Sequence, residues 1–319
     1  MSAATEALAA PAPISPRPFY WSVRREFWEH RALYIVPLVV AALMLVSFAL
    51  NAVHLPDGMR LLAAMEPGKQ RAAAIAVLLV TASAIMSAQM ISNAFYCLDA
   101  LHSERRDRSV LFWKSLPVSD FTTVVSKLFV AFAVVPAIAL VVVIATQLFL
   151  LVLSSIVLLV SGTSAQSLLS LVPYPELIVL MLYGSIAFTV WLLPIYGYLL
   201  LVSAWAKRST FIWAVLVPLG IAVFEKLVFD TSYFIAAIKH RLLGWASAGF
   251  AHGAKSSDFA SKSEGMEAYA DLGGTFPDNP LQIAAPLQYL SDPHLWIGLA
   301  LAAAFIAAAI WMRRYREPM

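Results

Sequence analysis

Apolar and polar positions along this chain fall into long blocks rather than short alternations. Positions 32–53 and 72–98 contain no Asp, Glu, Lys or Arg, and positions 295–312 contain none either. A helix that crosses a bilayer needs about 20 mostly apolar residues. On that rule the pattern predicts six spans, at 32–53, 72–98, 124–160, 176–206, 209–229 and 295–312. The uncharged run from 128 to 175 is too long for one crossing. Ser161-Gly162-Thr163-Ser164 and Pro173-Tyr174-Pro175 carry turn chemistry, so we read one long helix to about 160 and then a re-entrant or surface loop. If that run crossed twice, every later segment would change sides. The fold class expected is an all-α integral membrane protein, with a disordered tail at 1–18 and a single transmembrane domain at 19–319.

Charge gives the spans an orientation. Short loops on the cytoplasmic side carry an excess of Lys and Arg. Arg17, Arg24, Arg25 and Arg31 precede the first span; Arg105, Arg106, Arg108 and Lys114 lie between spans two and three; Lys207 and Arg208 lie between four and five; Arg313, Arg314 and Arg316 follow the last. They alternate as a chain with both termini in the cytoplasm would. Arg60, Lys69 and Arg71 in the opposing loop at 51–71 weigh against this. The long insert at 231–294 also holds Lys and Arg, but long loops cross largely regardless of charge. Composition agrees with the class: 61% of the 319 residues are hydrophobic and 13% charged, where soluble domains carry about 25% charged residues. The location expected is the cell membrane, multi-pass, of the bacterial inner (plasma) membrane type, with membrane lipid as a partner and no nucleic acid. Residues 1–18, rich in Ala and Pro, lack the apolar core of a cleavable signal peptide. One cysteine, Cys97, excludes an intrachain disulfide, and the six histidines are scattered without metal-ligand spacing, so no metal site is expected.

Before the first span, Phe19, Val23 and Phe27 recur every four residues with Arg24, Arg25 and Glu26 between them. An amphipathic helix lying in the interface has this pattern; an aromatic flank with no further role is the other reading. Pro37, Pro136, Pro194 and Pro218 interrupt spans, as hinges or as tolerated bends. Few polar groups lie inside the spans. Gln89, Asn93 and Gln147 are placed to join helices by hydrogen bonds, and Gln89 and Asn93 are also candidates for a pathway, together with Glu225. Glu225 comes near the outer end of span five and either lines an outer cavity or faces headgroup water. The insert at 231–294 is expected outside the cytoplasm. Phe234, Ile238, Leu242 and Trp245 share one helical face there, in an element that either gates an exit or caps the bundle.

The most informative stretch is the loop at 99–120. It runs Glu104-Arg105-Arg106-Asp107-Arg108-Ser109-Val110-Leu111-Phe112-Trp113-Lys114-Ser115-Leu116-Pro117-Val118-Ser119. Val110 and Trp113 are three apart, Phe112 and Leu116 four apart, so a short helix would hold apolar anchors outside the membrane behind an Arg rim. Such a surface suits docking to a protein. Pro117 ends that helix, and Ser119 or Asp120 caps the third span.

The order of residue types in this loop resembles the membrane subunits of ABC-2 type (type V) ABC transporters. Glu104-Arg105, Ser109, Val110, Phe112, Pro117, Val118 and Ser119 stand in register with the family pattern. Arg108 replaces a common Gly, and Phe112-Trp113 replaces Leu-Leu. The six-span layout and the helix before span one share the resemblance. It implies that Glu104, Arg105, Arg106, Arg108, Val110, Phe112, Trp113, Leu116 and Pro117 belong to a coupling helix that contacts a separate ATPase. It also implies an interfacial helix through Phe19, Val23, Arg24 and Phe27, two ATPase copies, and either a homodimer of this chain or a pair with a similar permease. The function implied is that of a permease subunit of an ATP-driven exporter.

No Gly-x-x-x-x-Gly-Lys-Ser/Thr phosphate loop exists in the chain; its single Gly-Lys pair, Gly68-Lys69, is followed by Gln70. ATP and Mg would therefore be bound by the partner, with no cofactor in this chain. No His-Glu-x-x-His and no pair of intramembrane Asp residues occurs, so an embedded enzyme is not expected. A non-transporting receptor or scaffold signalling through the same loop is the alternative.

Overall fold

The structure, a computed structural model, describes residues 18–65, 67–106, 120–162, 164–250 and 279–315. Every regular element among them is helical; a single bridge joins Phe250 to Ala284. Six helices are long and apolar enough to cross a membrane. The chain is thus an all-α, multi-pass membrane protein.

Helix α1 (Pro18–Glu29) precedes α2 (Ala32–Asn51), which runs through a 3₁₀ turn into α3 (Leu55–Ala63). Much of the 51–71 segment, read from the sequence as a loop, is therefore helical. Pro56 explains part of this, because it stands in the first turn of α3, where its missing N–H costs nothing. Helix α4 (Pro67–Asp99) returns to the end that carries α1, here termed the near end, and breaks into α5 (His102–Arg106). Next, α6 (Asp120–Phe129) continues through a π turn, Val130–Val134, into α7 (Val135–Val160). The short α8 (Ala165–Leu171) follows where the sequence stops favouring a span, and α9 (Tyr174–Trp205) and α10 (Thr210–Phe229) complete two further crossings. At the far end lie α11 (Tyr233–Leu243), α12 (Trp245–Gly249), a 3₁₀ turn (Pro280–Ile283) and α13 (Pro286–Ser291), before the last crossing, α14 (Pro293–Tyr315).

The π turn has a local cause. The Val135 N–H bonds the Val130 carbonyl, five residues back. The next donor in that register would be Pro136, which has no N–H. The Ala131 carbonyl is left without a helical donor, and the Asn93 side chain of α4 supplies one at 2.9 Å. Two more buried amides join helices in the same way: Gln89 donates to the Leu33 carbonyl at 3.1 Å and Gln147 to the Leu78 carbonyl at 2.8 Å. Without water in the bilayer core, such bonds satisfy groups that hydrocarbon would leave bare.

Helix α9 is the axis of the bundle. At Gly197 an added Cβ would come within 3.4 Å of the Ala302 carbonyl, so α9 and α14 approach as closely as small residues permit. Ala302 and Ala309 are buried in this seam. The other half of α9 takes the far-end insert on one face, at Tyr183, Ala187 and Trp191, spaced four residues apart. Tyr183 donates to the Gly249 carbonyl and Tyr289 to the Ala187 carbonyl, at 2.9 and 2.8 Å. By contrast α10 exposes Phe211, Ile212, Val215, Leu219, Phe224 and Leu227. An apolar helix that shows so much of its surface has lipid as its natural solvent.

Candidate functional site

The near end holds a cluster of buried charge drawn from four segments far apart in sequence. Helix α1 brings Arg25 and Glu26, α5 brings Glu104, α6 brings Lys127 and the last turn of α14 brings Arg313. Glu26 and Lys127 are fully buried, and Glu104 and Arg313 nearly so. Lys127 Nζ donates to Glu26 Oε1 at 2.7 Å and lies 3.1 Å from Glu104 Oε1. Arg313 donates to Glu104 Oε2 at 2.6 Å, and Arg25 pairs with Glu104, with Glu26 at 3.1 Å and with Glu29 at 3.4 Å. Tyr96 of α4 donates its hydroxyl to Glu26 Oε2 at 3.0 Å, and the His30 ring stands edge-on to Tyr96.

The electrostatics follow from this geometry. Three acidic side chains, Glu26, Glu29 and Glu104, face three basic ones, Arg25, Lys127 and Arg313. Burial pushes the Glu26 carboxyl up, but the Lys127 ammonium, its hydrogen bond and Arg25 outweigh burial and hold the group below the usual carboxylate range. Burial pulls the Arg25 guanidinium down; Glu104, Glu26 and Glu29 outweigh it and raise it. Glu26, Glu29 and His30 stand close enough to offer ligands to a metal ion. The adjoining Lys127 and Arg25 already occupy Glu26, which makes ion pairing rather than coordination the chemistry of this corner.

Why the chain folds this way here is local. Glu26 lies three residues after Val23 and one before Phe27, so it falls on the apolar stripe of α1. That stripe packs inward: Val23 touches the core and Phe19 meets Phe129 of α6 with ring centroids 5.4 Å apart. Arg24 points away and stacks on Trp21 and Trp28 at 5.3 and 5.0 Å. Helix α4 stops at Asp99, and the N–H groups of Leu101 and His102 both donate to Ser203 Oγ of α9 at 3.0 Å. His102 Nδ1 adds a 3.3 Å contact to the Ala206 carbonyl. Helix α5, which leads into the 107–119 segment, is therefore fixed from both sides.

Of the residues singled out in the sequence, Glu104 sits at the centre of this cluster, Val23 and Phe27 are half-buried on α1 and Arg106 is exposed. Arg105 belongs to α5, but its side chain and all of Arg108, Val110, Phe112, Trp113, Leu116 and Pro117 lie outside the described residues. Gln89 and Asn93 are buried and spend their N–H groups joining helices, while their amide oxygens have no partner among the described residues. Glu225 is not brought near them. It accepts from Thr231 Oγ1, Tyr233 N and Phe234 N at 2.7–2.9 Å, capping the start of α11. Lys127, Tyr96 and Ser203 were missed. Lys127 had a signal, being the one charge in an apolar run from 121 to 175; Glu26 had another, an acid on an apolar stripe.

Fold and site together define a multi-pass, all-helical membrane protein whose first helix, second crossing, third crossing and last crossing are locked by buried ion pairs at one end. Compared with family models, curated proteins and solved structures, the chain matches none.

Proposed function

We propose that this chain is the permease subunit of an ATP-driven ABC-2 type exporter, coupled to a separate ATPase through the 99–120 loop. In this reading the near end faces the cytoplasm, α1 lies in the membrane interface, the 104–117 stretch serves as the coupling helix, and 231–294 faces outside. Two permeases, identical or similar, work with two ATPase subunits that hold ATP and Mg; the chain itself has no cofactor and no catalytic site.

The observation that carries the reading is the position of Glu104. It starts the segment whose residue order resembles the family, and it bonds Lys127 at the foot of one crossing and Arg313 at the foot of another. A push on the loop would reach two crossings and α1 through charge-assisted contacts, which are short and directional. An arrangement whose only task was to keep a basic loop on one side would need no buried acid tied to three cations.

The test is co-purification and uncoupling. The full chain, extracted from its native membrane, is expected to bring down a polypeptide with a P-loop. Phe112→Asp or Trp113→Asp should abolish that association while the chain still inserts and folds. Stimulated ATP hydrolysis and vesicle flux should fall together; flux that never depends on ATP, with association intact, would point instead to a scaffold.

A further inference from the structure

A second polar cluster lies at the far end, and it is built differently. Arg241 of α11 lies over the Trp191 ring at 4.8 Å from its centroid. Its guanidinium donates to two main-chain carbonyls, Trp191 at 3.3 Å and His294 at 2.7 Å. A guanidinium has five N–H donors and is always charged. The remaining donors have no carboxylate bonded to them among the described residues. Asp292, the acid beside Arg241 among the described residues, accepts from His294 N at 2.8 Å and lies 3.0 Å from His294 Nδ1. Beside Arg241 stands His240, whose ring is 4.7 Å from that of His294 and 5.5 Å from that of Trp191. Trp191 is fully buried, and its Nε1–H has no acceptor among the described residues. The hydroxyl of Tyr289, the other polar group here, is spent on Ala187.

The corner thus holds a cation, an indole N–H and two imidazoles, with one acid already engaged. It wants an anion. Its depth says which kind. His294 is the second residue of the last crossing, and the exposed Trp296 two residues on donates to the Leu290 carbonyl. Trp at the end of an apolar helix marks the headgroup level. We propose that Arg241, His240 and His294 form a binding site for a phosphate anion, presented by the headgroup of a phospholipid in the leaflet that borders α11 and α14. Arg is suited to phosphate because its planar fork donates two parallel hydrogen bonds. Gly298 is part of the site: a Cβ there would collide with the guanidinium. The proposal does not depend on the ATPase partner.

The test uses the full chain in bilayers of digalactosyldiacylglycerol, which has no phosphate, doped with a minor fraction of phosphatidylglycerol. Native mass spectrometry then counts the phospholipid that survives release from the bilayer. The wild-type chain is expected to retain it, and Arg241→Gln to retain about tenfold less, the loss of a charge-assisted contact. Gly298→Ala, which keeps the arginine but displaces it, should lose retention in the same direction and serves if Arg241→Gln does not fold. Equal retention by wild type and Gly298→Ala, or no retention by wild type, overturns the site. Inorganic phosphate that removes the lipid, or binds in its absence, overturns the headgroup as the source.

Discussion

The two ends of the bundle solve the problem of buried charge in opposite ways. At the near end the two buried carboxylates, Glu26 and Glu104, have cations from other segments: Glu104 alone meets Lys127, Arg25 and Arg313. At the far end the Arg241 charge is held by carbonyl oxygens and an aromatic face, with no carboxylate in contact among the described residues. The near cluster therefore ties segments together, since removing one member strands the others. The far cluster leaves a charge with no carboxylate partner among the described residues. The first arrangement suits a mechanical joint and the second a ligand.

This contrast can be broken most forcefully at Lys127. Lys127→Met leaves Glu26 and Glu104 buried beside fewer cations, and breaking a buried pair typically costs about 3–5 kcal/mol. A fall of that size in unfolding free energy in detergent is expected, and Glu26→Gln in the same chain should restore a good part of it. A cost under the range of an exposed pair, about 1 kcal/mol, would mean the cluster is wet and the joint loose.

Acid provides the next test. Glu26 titrates below its ordinary value of 4.5 in the folded chain, so its stabilising contribution is complete above that value and is lost as pH falls through the folded one. The thermal midpoint of the wild type should drop on acidification below pH 4.5, and Glu26→Gln, which has nothing to protonate at that site, should drop less. Parallel curves would show that Glu26 is not held by its neighbours.

At the far end the same kind of substitution should cost less. Arg241→Gln removes donors from two carbonyls without stranding an opposite charge, and a net loss of about 1–2 kcal/mol is expected, read by the same unfolding measurement. A loss equal to that of Lys127→Met would erase the distinction between the two ends. The smallest effect belongs to Lys226, whose 2.7 Å pair with Asp230 is exposed on both sides. Lys226→Ala should shift stability by less than about 0.5 kcal/mol.

How much of this could be read beforehand depends on the distance over which a signal acts. The crossings were legible because each is a local run of apolar residues, and α1 because Phe19, Val23 and Phe27 repeat within three turns. The helix Leu55–Ala63 was not, since Arg60 and Asp57 break the apolar pattern while still pairing with each other one turn apart. The near cluster was legible only in part. Arg25 and Arg313 read as topology signals, which say nothing of what they touch. Glu26 and Lys127 are 101 residues apart and Glu104 and Arg313 are 209 apart; no pattern along one helix reports such pairs. The far cluster escaped for the same reason, as Trp191, Arg241 and His294 come together only when the insert folds back along α9.

We propose that the loop fixed at Glu104 receives an ATPase. Purifying the full chain from its native membrane, with wild-type and Trp113→Asp forms side by side, measures this directly. A P-loop ATPase bound in equal stoichiometry to the wild type and absent from the variant is the result expected. Wild-type chain that comes down without such a partner, or a variant that keeps it, would contradict the account.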